Sequence, residues 1–227
     1  MTGMLSPSLM CANLLELKRD ICVMNDLNVE FLHLDFMDGK FVPNITFGTD
    51  LIKAIRNGKG RCALDIHIMA ENPGQYFDKM EITEGEIVSV HLEAVDNMHE
   101  LIKDLRARGA RPSIAINPDT PVESVKPYLD TVDCILLMTV YPGFAGQPLA
   151  PNSFERIAQL RDIIDKSGRE IVIEVDGNVS WENAVKMRKA GADLFVAGSS
   201  SIFQQGSDIA ENINKFYQII RAQHSLS

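Results

Sequence analysis

Short runs of apolar and β-branched residues recur along the chain, and amphipathic stretches separate them. The amphipathic stretches carry apolar residues at three-to-four spacing, which is typical of helices that pack on a sheet, and they cover residues 14–27, 50–57, 98–108, 152–166 and 180–190. Strand and helix signals that alternate in this way predict a parallel sheet. The eight runs are LSPSLM, EFLHLDFM, ALDIHIM, IVSVHLE, PSIAIN, CILLMTV, EIVIEVD and DLFVAGS.

Eight such units in 227 residues favour a closed (β/α)8 TIM barrel over an open doubly wound sheet. An open sheet of that class usually has a glycine-rich fingerprint after its first strand, whereas this chain continues with SLMCAN. No linker or low-complexity tract divides the chain, so residues 1–227 are predicted to form a single domain. Helix starts are predicted at Asn13, Pro121, Asn152 and Ser180.

Net charge and cysteine usage narrow the function classes. A net charge of −9 argues against nucleic-acid binding, but it does not exclude a phosphorylated small molecule, which backbone N–H groups can hold. No apolar stretch is long enough for a membrane span. The start of the chain lacks the pattern of a secretion signal, and Cys11, Cys22, Cys62 and Cys134 form no CxxC pair. These features predict a cytoplasmic protein with reduced thiols.

Strand parity places polar side chains inside the predicted barrel. In EFLHLDFM, His33, Asp35 and Met37 share one face, while the apolar residues between them face the helices. ALDIHIM repeats the arrangement with Asp65, His67 and Met69, and EIVIEVD ends with Glu174 and Asp176 on one face. Two imidazoles and two carboxylates suit a divalent metal such as zinc, manganese or iron. The predicted ligands are His33, Asp35, His67 and Asp176.

Other readings of these residues remain open. An isolated HxD pair on a strand is often a hydrogen-bonded structural pair. We interpret His91, in a similar HxE setting, as structural or peripheral, and His99 and His224 as surface residues of helices. The inward methionines either fill the barrel or form a water-poor wall around a reacting carbon. They are Met37, Met69 and Met138.

Two loops predict a phosphate site, and a third predicts a lid. Phosphates often lie between the loops that follow strands seven and eight of such barrels. Here these loops are 176–178 and 198–200, with Gly177 and Gly198 allowing close approach of the backbone. The loop YPGFAGQP contains Gly143 and Gly146 and is long enough to cover a substrate. Its simpler interpretation is a Pro/Gly turn.

With SPSLMCANLLEL, HLDFMDGKFVPN, DIHIM, MTVYPGFAGQ, IEVDGNV and AGADLFVAGSSSIF in view, the chain resembles the ribulose-phosphate 3-epimerase family over nearly its whole length. The resemblance implies a (β/α)8 barrel and one divalent metal ion (zinc, manganese, iron, cobalt or magnesium) bound by the same two His and two Asp. It also implies a homo-oligomer, either a dimer or a hexamer. The predicted substrate contacts are Ser8, Met37, His67, Met69, Met138, Gly143, Phe144, Ala145, Gly146, Gly177, Asn178, Gly198 and Ser199.

Two departures bear on the substrate. Asn178 stands where the pentulose enzymes usually have a second glycine, and Ala145 stands where they often have glycine. Together with SPSLMC and the lid motif, these residues resemble the allulose-6-phosphate 3-epimerase branch. The predicted reaction therefore converts D-allulose 6-phosphate to D-fructose 6-phosphate, and the alternative converts D-ribulose 5-phosphate to D-xylulose 5-phosphate.

The predicted chemistry inverts carbon 3 of a phosphorylated ketose through an enediolate. Inversion needs proton transfer on two faces of the carbon, and we assign this to Asp35 and Asp176. A decarboxylase or a Schiff-base aldolase on the same barrel would need a lysine at a strand end, and none of the eight predicted strand ends carries one. A barrel that binds metal or phosphate without catalysis is the alternative from another class.

Overall fold

The predicted strands form one parallel sheet that curls into a nearly closed barrel, with helices alternating along the chain. The computed structural model describes residues 2–222. Within these residues the sheet has eight strands in the order β1-β8-β7-β6-β5-β4-β3-β2. The predicted (β/α)8 TIM barrel is thereby confirmed. The strands are β1 (Met4–Pro7), β2 (Phe31–Met37), β3 (Ala63–Met69), β4 (Ile87–His91), β5 (Arg111–Ile116), β6 (Cys134–Met138), β7 (Val172–Asp176) and β8 (Leu194–Ala197).

The barrel closes unevenly around its circumference. Seven neighbouring pairs of strands are joined by continuous parallel ladders. Between β1 and β2 the structure has a single parallel bridge, from Ser8 to His33. We call this junction the β1–β2 seam.

Helices pack their apolar faces on the outward-facing residues of the sheet. Leu32, Leu34 and Phe36 of β2 belong to one continuous buried core with residues such as Ile52 and Ile55 of the following helix. The residues between them on β2 face the barrel interior, as parity predicts. The helices are α1 (Leu17–Asp26), α2 (Thr49–Gly58), α3 (Phe77–Met80), α4 (Met98–Ala107), α5 (Ser153–Ser167), α6 (Trp181–Ala190) and α7 (Ile209–Arg221).

Some observed ends of strands and helices differ from the predicted ones, because local turns replace regular structure there. The run LSPSLM is strand only to Pro7, since a 3-10 turn follows at Leu9–Cys11. Helix α1 begins at Leu17 because the Asn13 side chain accepts a hydrogen bond from the backbone N–H of Leu15 and forms a turn.

Two more predictions concern the connections between strands. The segment after Pro121 is a 3-10 helix, Val122–Tyr128, with Pro127 inside it, rather than an α-helix. His99 is exposed on α4 as predicted, whereas His224 lies outside the described residues. No helix within residues 2–222 has the length and hydrophobicity needed to cross a membrane.

Candidate active site

Four side-chain atoms whose lone pairs could bind a metal ion converge inside the barrel near the carboxyl ends of the strands. We call these four atoms the donor cluster. Asp35 Oδ1 lies 3.3 Å from His33 Nε2 and 3.6 Å from His67 Nδ1. Asp176 Oδ2 lies 3.6 Å from His67 Nδ1 and 4.0 Å from His33 Nε2. The structure therefore brings together the four residues that strand parity predicts as metal ligands, and these four atoms lie within 4.8 Å of one another.

Strand register explains the convergence. In the β2–β3 ladder, Asp35 is paired with His67, so both side chains point into the barrel at the same level. His33 lies two residues before Asp35 on the same face of β2. Asp176 is the last residue of β7 and reaches the group from across the barrel.

The donor atoms fit one divalent cation. Four ligands placed tetrahedrally at the usual bond lengths of about 2.0 to 2.2 Å lie about 3.3 to 3.6 Å apart, close to the separations seen here. His33 Nε2 and His67 Nδ1 are buried and have no hydrogen-bond partner, although both point at carboxylates. Buried nitrogens without a partner are costly, and a bound cation would satisfy both of them. His33, Asp35, His67 and Asp176 could therefore hold the metal.

The electric field of the carboxylates also favours a cation here. Burial alone would lower the pKa of His33, but the carboxylates of Asp65 and Asp35 outweigh it and raise the pKa of His33 well above its usual range. Burial also opposes the raised pKa of His67, which the nearby carboxylates of Asp176 and Asp35 produce. The carboxylates thus favour a positive charge among these side chains.

A second layer of polar residues orients His33 from below. His33 Nδ1 lies 2.6 Å from Asp65 Oδ2, which also accepts a hydrogen bond of 2.7 Å from the Ser6 hydroxyl. Glu174 lies beside them, and burial together with the charge of Asp65 raises the pKa of Glu174 well above its usual range. Because Nδ1 donates to Asp65, the lone pair of His33 Nε2 is turned toward the donor cluster.

His67 has a different supporting group. Its Nε2 lies 2.8 Å from Nε2 of His91, and Nδ1 of His91 lies 3.2 Å from Oε2 of Glu93. Burial lowers the pKa of His91 to about 4. Of the two interpretations of His91, structural or peripheral, the direct contact with a donor residue agrees with the first. The HxE spacing is the available signal, but it does not show which ring His91 meets on the neighbouring strand β3.

A pocket of about 210 Å³ opens above the donor cluster. Asp35 and Asp176 form part of its wall, and Ser8 donates a hydrogen bond of 2.9 Å to Asp35 Oδ2. All the predicted substrate contacts line this pocket except His67, which is fully buried beneath it. Lining residues that the sequence reasoning misses are Met10, Cys11, Val140, Tyr141, Pro142, Gln147, Val179, Val196 and Ser200.

Apolar side chains flank the two aspartates. Met37 and Met69 pack with Val42 in one small buried cluster, and Met138 packs with Val196 in another. All three methionines are almost completely buried, with exposed fractions of 3% or less. They fill part of the barrel mouth and also line the pocket.

The predicted phosphate loops lie at one side of the pocket. A Cβ atom on Gly177 would lie 2.7 Å from the backbone nitrogen of Val140, and one on Gly198 would lie 2.9 Å from Cys11 Sγ. Glycine is therefore required for the close packing of the first loop in particular. Asn178 adopts a left-handed conformation and Ser199 follows Gly198 on the pocket wall.

The predicted lid is a loop at 141–147 held by amide side chains. Gln147 Nε2 donates to the carbonyl oxygens of Tyr141 (2.6 Å) and Phe144 (2.8 Å). Asn44 donates to the carbonyl of Gly143, and Asn178 donates to that of Gln147. The loop thus has more internal structure than a simple Pro/Gly turn.

Comparison with known proteins agrees with the sequence motifs. The sequence model of the "Ribulose-phosphate 3 epimerase family" matches residues 4–203. A ribulose-phosphate 3-epimerase from Bacillus subtilis (strain 168) is 36% identical over 196 residues, covering 86% of this chain and 90% of the relative. The chloroplastic ribulose-5-phosphate-3-epimerase of Arabidopsis thaliana is 36% identical over 197 residues, covering 86% of this chain and 70% of the relative.

Solved structures at low identity share the fold alone. A mutant tryptophan synthase alpha-subunit from Pyrococcus furiosus matches with a TM-score of 0.68 at 15% identity, covering 96% of this chain and 98% of that one. A thiamine phosphate pyrophosphorylase from Pyrococcus furiosus matches with a TM-score of 0.62 at 10% identity, covering 96% and 95%.

Proposed function

Because the chain belongs to the ribulose-phosphate 3-epimerase family, we propose that it is a metal-dependent epimerase that inverts carbon 3 of a phosphorylated ketose. The names of its relatives place it among the isomerases, as predicted from the sequence. The observation that carries the proposal is the convergence of two imidazoles and two carboxylates at the floor of one pocket.

Each part of the pocket has a role in the proposed reaction. A bound divalent cation would act as a Lewis acid that stabilises the negative charge developing on the ketose oxygens. Asp35 and Asp176 remove and return the proton at carbon 3, one on each face, and Ser8 fixes the carboxylate of Asp35 by its hydrogen bond. The methionine wall excludes water from the reacting carbon.

The phosphate end of the substrate supplies binding energy away from the reacting carbon. The loops at 176–178 and 198–200 line one side of the pocket, and the 141–147 loop borders them through the hydrogen bond from Asn178 to the carbonyl of Gln147. Anchoring the phosphate there positions carbon 3 between the two aspartates.

Two substrates remain candidates, and a different observation favours each. The side chain of Asn178 and the methyl group of Ala145 favour D-allulose 6-phosphate, because they resemble the hexulose branch. The names of the relatives favour D-ribulose 5-phosphate. The proposal of the hexulose rests on these two residues of the pocket wall together with the SPSLMC and lid motifs.

A comparison of the two sugars separates these candidates. The purified protein, supplied with Mn²⁺, Zn²⁺ or Co²⁺, is incubated with each phosphate in D₂O, and kcat/KM for epimerisation is measured together with deuterium incorporation at carbon 3. A higher kcat/KM for allulose 6-phosphate supports the hexulose assignment, and the reverse supports the pentulose. Binding of both sugars without deuterium incorporation would instead indicate a noncatalytic barrel.

Substitution of the two aspartates tests their proposed roles. Asp35→Asn and Asp176→Asn each remove a base and a metal ligand, so we expect kcat to fall by about 10³-fold or more. Asp193→Asn is the matched control and should keep kcat, since Asp193 is also buried and pairs with Arg161, but it precedes β8 at the opposite end of the barrel. Near-normal turnover in either active-site variant would remove that residue from the mechanism.

Three coarser features also stay proposals. We propose that residues 1–227 form one domain, that the protein assembles as a dimer or hexamer, and that it acts in the cytoplasm. Light scattering of the purified protein measures the assembly state directly, and a monomeric mass would contradict the proposed oligomer.

A further inference from the structure

A chain of hydrogen-bonded side chains leads from the donor cluster to the loop after β4. Nε2 of His67 meets Nε2 of His91 at 2.8 Å, and Nδ1 of His91 meets Oε2 of Glu93 at 3.2 Å. Both imidazoles are fully buried, and the Glu93 side chain is only 26% exposed. The planes of the two rings are inclined by 29°, and their centroids are 5.0 Å apart.

Hydrogen-bond donors fix the direction of this chain. The other oxygen of Glu93 accepts from the backbone N–H of Asn117 at 2.9 Å and from the Thr120 hydroxyl. Glu93 therefore presents acceptor oxygens on both sides, and Nδ1 of His91 must be the donor to it. A neutral imidazole carries one N–H group, so Nε2 of His91 is an acceptor and Nε2 of His67 donates to it.

We propose that Glu93 and His91 are positioning residues that fix the tautomer of His67, so that its Nδ1 lone pair faces Asp35 and Asp176. The inference rests on the proposed function, because it assumes that this lone pair binds the catalytic cation. Outer partners of metal-binding histidines commonly set ring orientation and basicity in this way.

The two donor histidines are thus held differently. His33 donates directly to a carboxylate, Asp65, and offers Nε2 to the cluster. His67 offers Nδ1, and a neutral ring separates it from its carboxylate. Because Glu93 is also bonded to Asn117 and Thr120 after β5, the orientation of His67 depends on a loop outside the pocket lining.

Glu93→Gln is a nearly isosteric test of the proposed chain. The amide NH₂ group of glutamine must face either Nδ1–H of His91 or the N–H of Asn117, so in each orientation a donor meets a donor. Reversal of the His91 tautomer would relieve the first clash, but it would place a second N–H against Nε2–H of His67. His67 could then avoid this contact only by moving its proton to Nδ1, the atom facing the cluster.

Metal affinity is the direct readout. Metal-depleted wild type and Glu93→Gln are titrated with Co²⁺ against a chelator, and the visible absorption of the bound ion is followed. We expect affinity to fall about 10- to 100-fold in the variant. The control is Glu86→Gln. Glu86 lies just before β4, at the end of the barrel opposite the pocket, and forms a buried ion pair with Arg56. Breaking that pair should leave Co²⁺ affinity unchanged.

The outcomes distinguish the two proposals. Wild type that binds no Co²⁺ would contradict the metal-dependent function itself. Wild-type binding with equal affinity in Glu93→Gln would overturn the positioning role and leave the function standing. His91→Gln, which keeps an acceptor for His67, should retain more affinity than His91→Leu, and equal losses would also contradict the inference.

A measurement on the unmodified chain avoids any effect of substitution on folding. In Zn²⁺-loaded protein with ¹⁵N-labelled histidine, His91 should show a protonated Nδ1 and an unprotonated Nε2. The opposite tautomer of His91 would overturn the proposed direction of the chain.

Discussion

At Gly177 the backbone has φ of +117°, and the position of a Cβ atom is already taken by Val140. An added methyl carbon would lie 2.6 Å from Val140 Cγ2 and 2.7 Å from its backbone nitrogen, which cannot move aside as a flexible side chain could. The glycine therefore allows the loop after β7 to lie directly on Val140, just beyond the end of β6.

Gly177→Ala should displace this loop and weaken substrate binding. We expect KM to rise and the free energy of unfolding to fall by about 2 to 4 kcal/mol, from the left-handed backbone together with the steric overlap. Gly206→Ala is the control, because Gly206 also has positive φ (+76°) but has no atom within 4 Å of an added Cβ. It should cost about 1 kcal/mol and leave KM unchanged. Equal stability losses would contradict the steric argument.

Glu93 also links stability to pH. Burial alone would raise its pKa, but hydrogen bonds from His91, Thr120 and Asn117 lower it from an ordinary value of 4.5 to about 2. A carboxyl whose pKa is lowered by folding stabilises the protein above its unfolded pKa, and this stability is lost as pH falls through the folded pKa.

Wild type should therefore exceed Glu93→Gln in unfolding free energy by about 1 to 2 kcal/mol at pH 7, after allowance for the partial exposure of the side chain. The difference should shrink as pH falls from about 4.5 toward 2. Urea unfolding at a series of pH values measures it, and a difference that does not change with pH would contradict the assignment.

On the scale of elements, amide side chains join separate loops at the pocket rim. The Asn178 side chain after β7 donates 2.9 Å to the carbonyl of Gln147, and the Asn44 side chain after β2 donates 2.7 Å to that of Gly143. The 141–147 loop is therefore joined to the loops after β7 and β2, and the first of these hydrogen bonds comes from the residue where pentulose enzymes usually have glycine.

Asn178→Gly should release one tie without straining the backbone, because Asn178 already has φ of +47°. We expect faster hydrogen–deuterium exchange of the amides in residues 143–147 and a higher KM. Asn44→Ala removes the other tie and should produce a similar change near Gly143. Unchanged exchange in both variants would show that these hydrogen bonds do not hold the loop.

Sequence periodicity predicts most elements, and it fails where the determining contact is local or distant. The eight strands are recognisable because each pairs an apolar outward face with a buried interior. The predicted cap at Ser180 is confirmed, since its side chain accepts from the backbone N–H of Asn183. Helix α3, by contrast, has only four residues, too few to show a period.

The candidate site also combines residues that periodicity predicts with a contact that it does not predict. Parity alone puts His33 and Asp35 on one face of β2, because a period of two follows from strand geometry. The contact of His91 with His67 depends on the register between the neighbouring strands β3 and β4 and on how each ring turns. No pattern within β4 encodes that register, so its sequence does not predict the pair.

At the scale of the whole molecule, the donor cluster joins strands that are distant in the sheet order. His33 and Asp35 lie on β2, His67 lies on β3 and Asp176 lies on β7, with β1 and β8 between β7 and β2. A cation bound to all four residues would stabilise the folded chain by mass action, because the unfolded chain does not preform the site.

Metal removal should therefore lower the melting temperature. At a free metal concentration of about 100 times Kd, binding contributes about 2.7 kcal/mol, which corresponds to a shift of about 5 to 10 °C for a chain of this size. Calorimetry with and without EDTA measures the shift, and Asp176→Asn should respond much less. Identical melting temperatures of wild type in both conditions would contradict stabilisation by a bound cation.

The β1–β2 seam gives metal binding a second consequence, for the closure of the barrel. Within residues 2–222 every other strand junction has a continuous backbone ladder, whereas this one has a single backbone bridge, at Ser8 and His33. Side-chain hydrogen bonds from Ser6 to Asp65 and from Ser8 to Asp35 supplement that bridge. A cation bound to the four donors would also link β2 and β3 to β7, on the far side of the seam, and metal binding would then help to hold the barrel closed.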